Sequence, residues 1–254
     1  CNLYNLFKHD KTPEKPIGYY GRQMIGNSSI GIAMLQKTTT LFVDMDGTLL
    51  DLHFDSFFWN YHLPKRFAEI HSIPPIKAST MIAEQMTMAK GTLHWCSSHY
   101  WSDTFDIDII ELKHEVKHLI GYRQGTREFL AAVKKFPVKL VLLTDADPHV
   151  IALKESVLHE AGHSLLQYMD KIVSSHELGY PKENDALWHA LKRHLPFEQS
   201  TSCLIDDNLA VLRAAKNYGI EQLIAISQPD SKQQDQFVEG FKNINSLHEL
   251  TGNS

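Results

Sequence analysis

The sequence predicts a doubly wound α/β core, a parallel sheet covered by helices on both faces, with a small helical domain inserted after the first strand. Two observations carry this. Short apolar runs alternate with helical patterns along most of the chain, and one strandless segment interrupts the alternation. The 254 residues suffice for one substantial core and a smaller companion, and 43% hydrophobic with 22% charged content is ordinary for a globular protein.

Residues 1–37 are polar with little periodicity and read as an irregular extension outside the fold. The chain begins at Cys1 rather than Met, and Met24 and Met34 are both candidate starts. Five runs then read as strands, at 39–43, 139–143, 171–174, 202–205 and 222–226. Several are continuously aliphatic or β-branched rather than alternating, the pattern of strands buried on both faces. Helical patterns lie between them at 127–135, 151–160, 183–194 and 209–218. The core domain is therefore expected over 38–51 and 122–254.

The interruption covers 52–121. It is rich in aromatics, Met and His, with Phe57, Phe58, Tyr61, Leu63 and Phe67 at helical spacing. The chain returns to the core near Gly121 and Gly125, and the two crossings of the boundary are expected to form a hinge.

Composition narrows the function classes. A net charge of -5, with 15 His counted neutral, provides no basic surface for polymeric nucleic acid. A small anionic substrate remains compatible, because a metal and one Lys dominate a local field. Cys1, Cys96 and Cys203 are odd in number and lack metal-ligand spacing, which reads as reduced thiols of a cytoplasmic protein. No apolar run approaches the roughly 20 residues needed to span a bilayer, so no membrane partner is expected. A monomer or small homo-oligomer fits.

Four features lie at the carboxyl ends of predicted strands or at a helix start, where an open α/β sheet carries its site. Asp44-Met45-Asp46-Gly47-Thr48 follows the first strand, and its two acids can face one crevice once the chain turns. Asp206-Asp207 closes the fourth. Capping by these acids or by Asn208 is the alternative reading, and it explains one acid better than two. Four converging carboxylates repel unless a cation joins them, and Mg²⁺, a hard oxygen-seeking ion, resolves this while leaving room for water and phosphate. Thr144, ending the second strand, offers a hydroxyl to a phosphoryl oxygen. Lys182, behind Pro181, projects from the start of the next helix, beside a partial positive field.

The order Asp44-x-Asp46-Gly47-Thr48, Thr144, Lys182, Asp206-Asp207 resembles the four motifs of the haloacid dehalogenase superfamily. That resemblance implies a Rossmann-like core and a phosphomonoester hydrolase working through an aspartyl phosphate. Asp44 would be the nucleophile and Asp46 the acid–base. Thr144 and Lys182 would hold the phosphoryl group. Mg²⁺ would be held by Asp44, the Asp46 carbonyl, Asp206 and Asp207, with Asp207 the favoured direct ligand of the pair. Asp46 separates this chemistry from dehalogenation, which needs no acid two residues after the nucleophile. The chain departs from many relatives in carrying Asp145 where they have Asn, which puts an acid beside the phosphate.

The inserted segment lies between the first and second motifs and so resembles a C1 cap. Within it, Phe54-Asp55, Phe58-Trp59, Leu93-His94-Trp95 and Tyr100-Trp101, together with Met45-Asp46-Gly47-Thr48-Leu49-Leu50-Asp51-Leu52, Gly179-Tyr180-Pro181-Lys182-Glu183 and Leu187-Trp188-His189-Ala190, are similar to the bacterial GMP/IMP nucleotidase group of that superfamily. This implies a purine 5′-nucleoside monophosphate as the small phosphorylated partner. His94, Trp95 and Tyr100 are candidates to stack on its base, although Trp95 and Trp101 also read as helix-packing residues. A sugar-phosphate phosphatase or phosphomutase is the alternative on the same core, and a non-catalytic binding protein on this fold is a third reading.

Overall fold

The computed structural model describes residues 27–251. Six strands form one parallel sheet: β1 (Thr40–Val43), β2 (Lys139–Thr144), β3 (Lys171–Ser174), β4 (Ser202–Asp206), β5 (Gln222–Ile226) and β6 (Lys242–Ile244). Their order is β3-β2-β1-β4-β5-β6, and every pairing is parallel. Successive side chains of a strand point to opposite faces. Leu41 and Val43 of β1 therefore enter one apolar cluster with Leu140, Leu142, Cys203 and Ile205, while Phe42 joins Val141, Leu143 and Leu204 in another. Both faces are covered, which is why these strands read as unbroken apolar runs. β6, with Lys242 and Asn243 in its three residues, carries no such run and was not expected.

Helices α1 (Asn27–Lys37), α2 (His53–Phe57), α3 (Leu63–Ile70), α4 (Pro75–Ala89), α5 (Ser98–Phe105), α6 (Ile109–Glu115), α7 (Thr126–Val133), α8 (Pro148–Glu160), α9 (Ser175–Leu178), α10 (Asp185–His194) and α11 (Leu209–Tyr218) complete the architecture. Buried residues of α7 and α8 pack on the first cluster, and those of α10 and α11 on the second. α1 corrects the expectation of an irregular stretch up to residue 37. Met34 and Leu35 are buried in the first cluster, and a Cβ at Gly31 would lie 2.4 Å from the Leu250 carbonyl oxygen. Those contacts come from the far end of the chain, and one and a half turns of apolar spacing among Ser, Gly and Thr do not announce them. The rest of the expected extension, 1–26, lies outside the described residues.

Helices α2 to α6 carry their own cluster, which includes Phe54, Phe58, Trp59, Leu63, Phe67, Ile82, Met86, Trp101, Phe105 and Leu112, with Leu153 of α8 reaching in from below. Between α2 and α3 a π-helical turn spans Phe58–His62, and the Leu63 N–H bonds the Phe58 carbonyl. Pro64 has no N–H to continue the four-residue register, so the helix widens there. The two crossings into this layer run side by side. Leu50 bridges Tyr122 in antiparallel fashion, Asp51 N–H donates to Gly121 O at 2.9 Å and Arg123 N–H to Leu49 O at 3.0 Å.

Trp101 is fully buried, stacks on Phe105 at 5.3 Å, meets Trp59 edge-on at 5.9 Å and donates from its indole N–H to Trp95 O at 3.0 Å. Trp101→Ala should cost about 3–5 kcal/mol in urea unfolding through the cavity it leaves. Tyr61, 67% exposed, is the control, and its Ala variant should stay within about 0.5 kcal/mol of wild type. Equal effects of the two changes would place the helical core elsewhere. Among the described residues no helix is long and apolar enough to cross a membrane. Cys203 is buried and Cys96 partly so, both unpaired, and burial pushes both thiols up, Cys203 to about 12.

Candidate active site

Parallel pairing brings the ends of β1, β2 and β4 to one edge. Val43 lies opposite Leu142 on one side and Ile205 on the other, so Asp44, Thr144 and Asp206 emerge together where the strand order reverses between β1 and β4. The Asp44 N–H still donates to Ile205 O at 3.0 Å, which holds the first acid at the sheet's lip. The chain then folds back, with Gly47 N–H bonding Leu50 O at 2.8 Å and Leu50 N–H bonding Met45 O at 2.8 Å. Gly47 has φ +87°, and a Cβ there would lie 2.6 Å from Asp207 Oδ2. Only glycine fits both the left-handed backbone and the close approach.

Three of the four carboxylates expected to converge do so. Asp44, Asp206 and Asp207 are buried, and each offers an oxygen within 4.8 Å of the others. The Lys182 ammonium joins them, 2.6 Å from Asp44 Oδ1 and 2.7 Å from Asp206 Oδ2. Burial disfavours the Lys182 charge, but Asp206, Asp44 and Asp145 outweigh it and hold the ammonium well above its ordinary range. Burial likewise pushes Asp206 up to about 6 against the pull of Lys182. Asp207 adds a third carboxylate beside the two that pair with Lys182. An all-carboxylate donor set of this spacing, with no nitrogen or sulfur, fits a hard divalent cation.

Lys182 does not project from a helix start as expected. α10 begins at Asp185, with Asn184 as its N-cap accepting from Ala186 N–H. Lys182 instead sits in the turn before it, and the neighbouring acids, not a helix dipole, decide its charge. Asp145, the departure from the expected Asn, takes part in that turn. Its Oδ1 accepts the Lys182 backbone N–H at 3.0 Å, so the acid anchors the lysine's loop. Thr144 is fully buried, and its Oγ1 accepts from Ala146 N–H at 3.1 Å.

Asp46 turns away from the three acids. Its Oδ1 meets Lys154 Nζ of α8 at 2.5 Å, and burial raises its carboxyl above the ordinary range despite that ammonium. Lys154 also pairs with Asp55 Oδ2 at 2.6 Å, and Lys113 of α6 with Asp55 Oδ1 at 2.9 Å. Asp55 is thereby held below the ordinary carboxylate range, because the two ammonium groups outweigh burial. Asp147, the N-cap of α8, accepts from His149 and Val150 and also from the Ser98 N–H that opens α5. None of Lys154, Lys113 or Asp147 was singled out from sequence, and Asp55 stood out only within the nucleotidase-like pair Phe54-Asp55, without a role. The available signal was a charge on an apolar stripe, such as Lys154 beside Val150, Ile151 and Leu158, or Lys113 beside Ile109, Leu112 and Val116.

Of the aromatic candidates, Trp95 lines a small cavity together with Leu93, Asp145, Pro181, Glu183 and Asn208. His94 and Tyr100 stack on each other at 4.2 Å and do not line it. Burial, then Asp145, raises the Glu183 carboxyl.

Residues 38–219 match the family model of the haloacid dehalogenase-like hydrolases. The chain is 35% identical over 196 residues to the GMP/IMP nucleotidase YrfG of Escherichia coli (strain K12), covering 77% of this chain and 86% of that protein. The protein of the same name from Shigella flexneri matches equally. Among solved structures, a HAD phosphatase from Thermococcus onnurineus superposes with a TM-score of 0.67 at 19% identity, over 84% of this chain and 95% of the other. A putative beta-phosphoglucomutase from Thermotoga maritima gives 0.60 at 19% identity, over 84% and 97%.

Proposed function

Since this chain belongs to the haloacid dehalogenase-like hydrolase family, we propose that it is a Mg²⁺-dependent phosphatase that hydrolyses purine 5′-nucleoside monophosphates, GMP and IMP among them, to nucleoside and phosphate. One observation carries the reaction class: three buried carboxylates and one buried ammonium meet at the sheet edge, with a further carboxyl two residues after Asp44. The purine substrate rests on the 35% identity to nucleotidases over most of both chains.

In this reading the Asp44 carboxylate attacks phosphorus, the ester P–O bond breaks, and Asp46 gives its proton to the departing 5′ oxygen. Water then attacks the aspartyl phosphate and loses a proton to Asp46, which frees Asp44 and inorganic phosphate. Lys182 and the Thr144 hydroxyl hold the phosphoryl oxygens and offset the charge that gathers on them. Asp44, Asp206, Asp207 and the Asp46 carbonyl would hold Mg²⁺, which when bound neutralises phosphoryl charge and orients the group for attack. Asp145 acts on the substrate through the loop it anchors. Residues 52–121 serve as a cap hinged at the paired crossings, and closure excludes water while Trp95 borders the leaving group. His94 and Tyr100, stacked on each other, are further candidates to meet the base.

Released phosphate measured over a panel of esters tests this. GMP and IMP should be hydrolysed, chelation should abolish turnover, and added Mg²⁺ should restore it. Sugar phosphates turned over far faster than either nucleotide would sink the purine assignment, and full activity in chelator would sink the metal.

A further inference from the structure

Lys154 and Asp55 lie outside the four motifs, yet each side chain is no more than 3% exposed. We propose that Lys154 is a positioning residue for Asp46, and that Asp55 makes this positioning depend on where the helical layer sits. The inference rests on the phosphatase reading above.

Lys154 engages Asp46 through Oδ1 alone, and among the described residues no hydrogen bond engages Oδ2. A carboxyl on a two-torsion side chain is thereby fixed by one oxygen and left with the other to exchange a proton with the leaving group. The ammonium is itself held by Asp55 on α2, and Asp55 by Lys113 on α6. The chain of contacts thus runs from the β1 loop through α8 into the helical layer and ends there. Two acids and two ammonium groups balance in charge. Such a buried set rarely gains stability over apolar side chains of equal volume, so a gain in stability does not account for it. Its geometry serves to orient Asp46. Asp147 ties the same helix to the layer a second time, through the Ser98 N–H. If α2 and α6 moved away from α8, Asp55 would leave Lys154, and Asp46 would lose its fixed partner geometry.

The test compares GMP with 2,4-dinitrophenyl phosphate, whose leaving group departs without a proton, in the Mg²⁺-loaded full chain. The quantity read is kcat/KM, which covers only the steps up to leaving-group release. For Lys154→Met, kcat/KM for GMP should fall by ~10²-fold or more, the scale of a lost proton transfer, while that for the aryl ester falls less than about tenfold. Lys154→Arg should recover part of the loss. Asp55→Asn, which keeps the side-chain shape, should show the same selectivity with a smaller loss, and it carries the comparison if Lys154→Met does not fold. Equal losses on both esters, or no loss on either, would overturn the inference. A wild-type enzyme inert to GMP but active on another alkyl phosphate would overturn only the purine assignment, and the comparison then runs on that ester. A wild type that hydrolysed no ester would overturn the phosphatase reading and this inference together.

Discussion

Asp44→Asn should lower turnover of any phosphomonoester by on the order of 10⁴-fold, the scale on which one member of a covalent-catalysis set is lost, while the fold survives. The amide has the shape of the acid but cannot form the aspartyl phosphate. Stability should change little. Lys182 keeps its second partner, Asp206 Oδ2 at 2.7 Å, and removing one of three acids within 4.8 Å of each other relieves their mutual repulsion. Circular dichroism and urea midpoints check the fold, and released phosphate checks the rate. Acid-quenched wild type should carry phosphate on the tryptic peptide containing Asp44, and the variant should not. Turnover within tenfold of wild type would remove Asp44 from the role.

Lys182→Met should damage both stability and rate, and the stability loss should depend on metal. The ammonium is 1% exposed and is the group within ion-pair distance of both Asp44 and Asp206. Removing it leaves buried carboxylates without that compensation, a change that costs about 3–5 kcal/mol where one partner of a buried pair is deleted. A divalent cation binding only the folded state returns part of that by mass action. Urea unfolding in chelator should therefore show the full loss, and saturating Mg²⁺ should raise the variant's midpoint more than the wild type's. The rate should fall by ~10²–10³-fold, as when one donor to a developing charge is removed. A variant as stable as wild type in chelator would show that the acids are not electrostatically dependent on Lys182.

The two variants separate roles that share one cluster. Asp44→Asn removes chemistry and relieves repulsion, whereas Lys182→Met removes attraction and exposes repulsion. A chelator midpoint close to wild type for Asp44→Asn and a clearly lowered one for Lys182→Met, with both rates reduced, are the joint signature.

What was legible in the sequence was what is local. β1 announces itself because Leu41, Phe42 and Val43 are each buried on one face or the other, and a parallel sheet obliges the residues after such strands to share an edge. Asp44, Thr144, Asp206 and Asp207 are therefore grouped by sequence alone, since each follows or ends such a strand. α1 and β6 were missed for the converse reason. Their few apolar positions become meaningful only in the packed core, where Met34 and Leu35 join Ile244, Leu247 and Leu250 in one cluster.

Five of the six strands, the inserted helical segment, and the acids and lysine that gather at one sheet edge are written in local sequence patterns. Where Asp46 points is set by long-range packing. Its partner Lys154 is 108 residues away, and Asp55 lies 99 residues from that lysine. A charge on an apolar stripe can be buried only beside an opposite charge, and which one it meets depends on how α8 packs beneath α2 and α6. No local pattern encodes that packing.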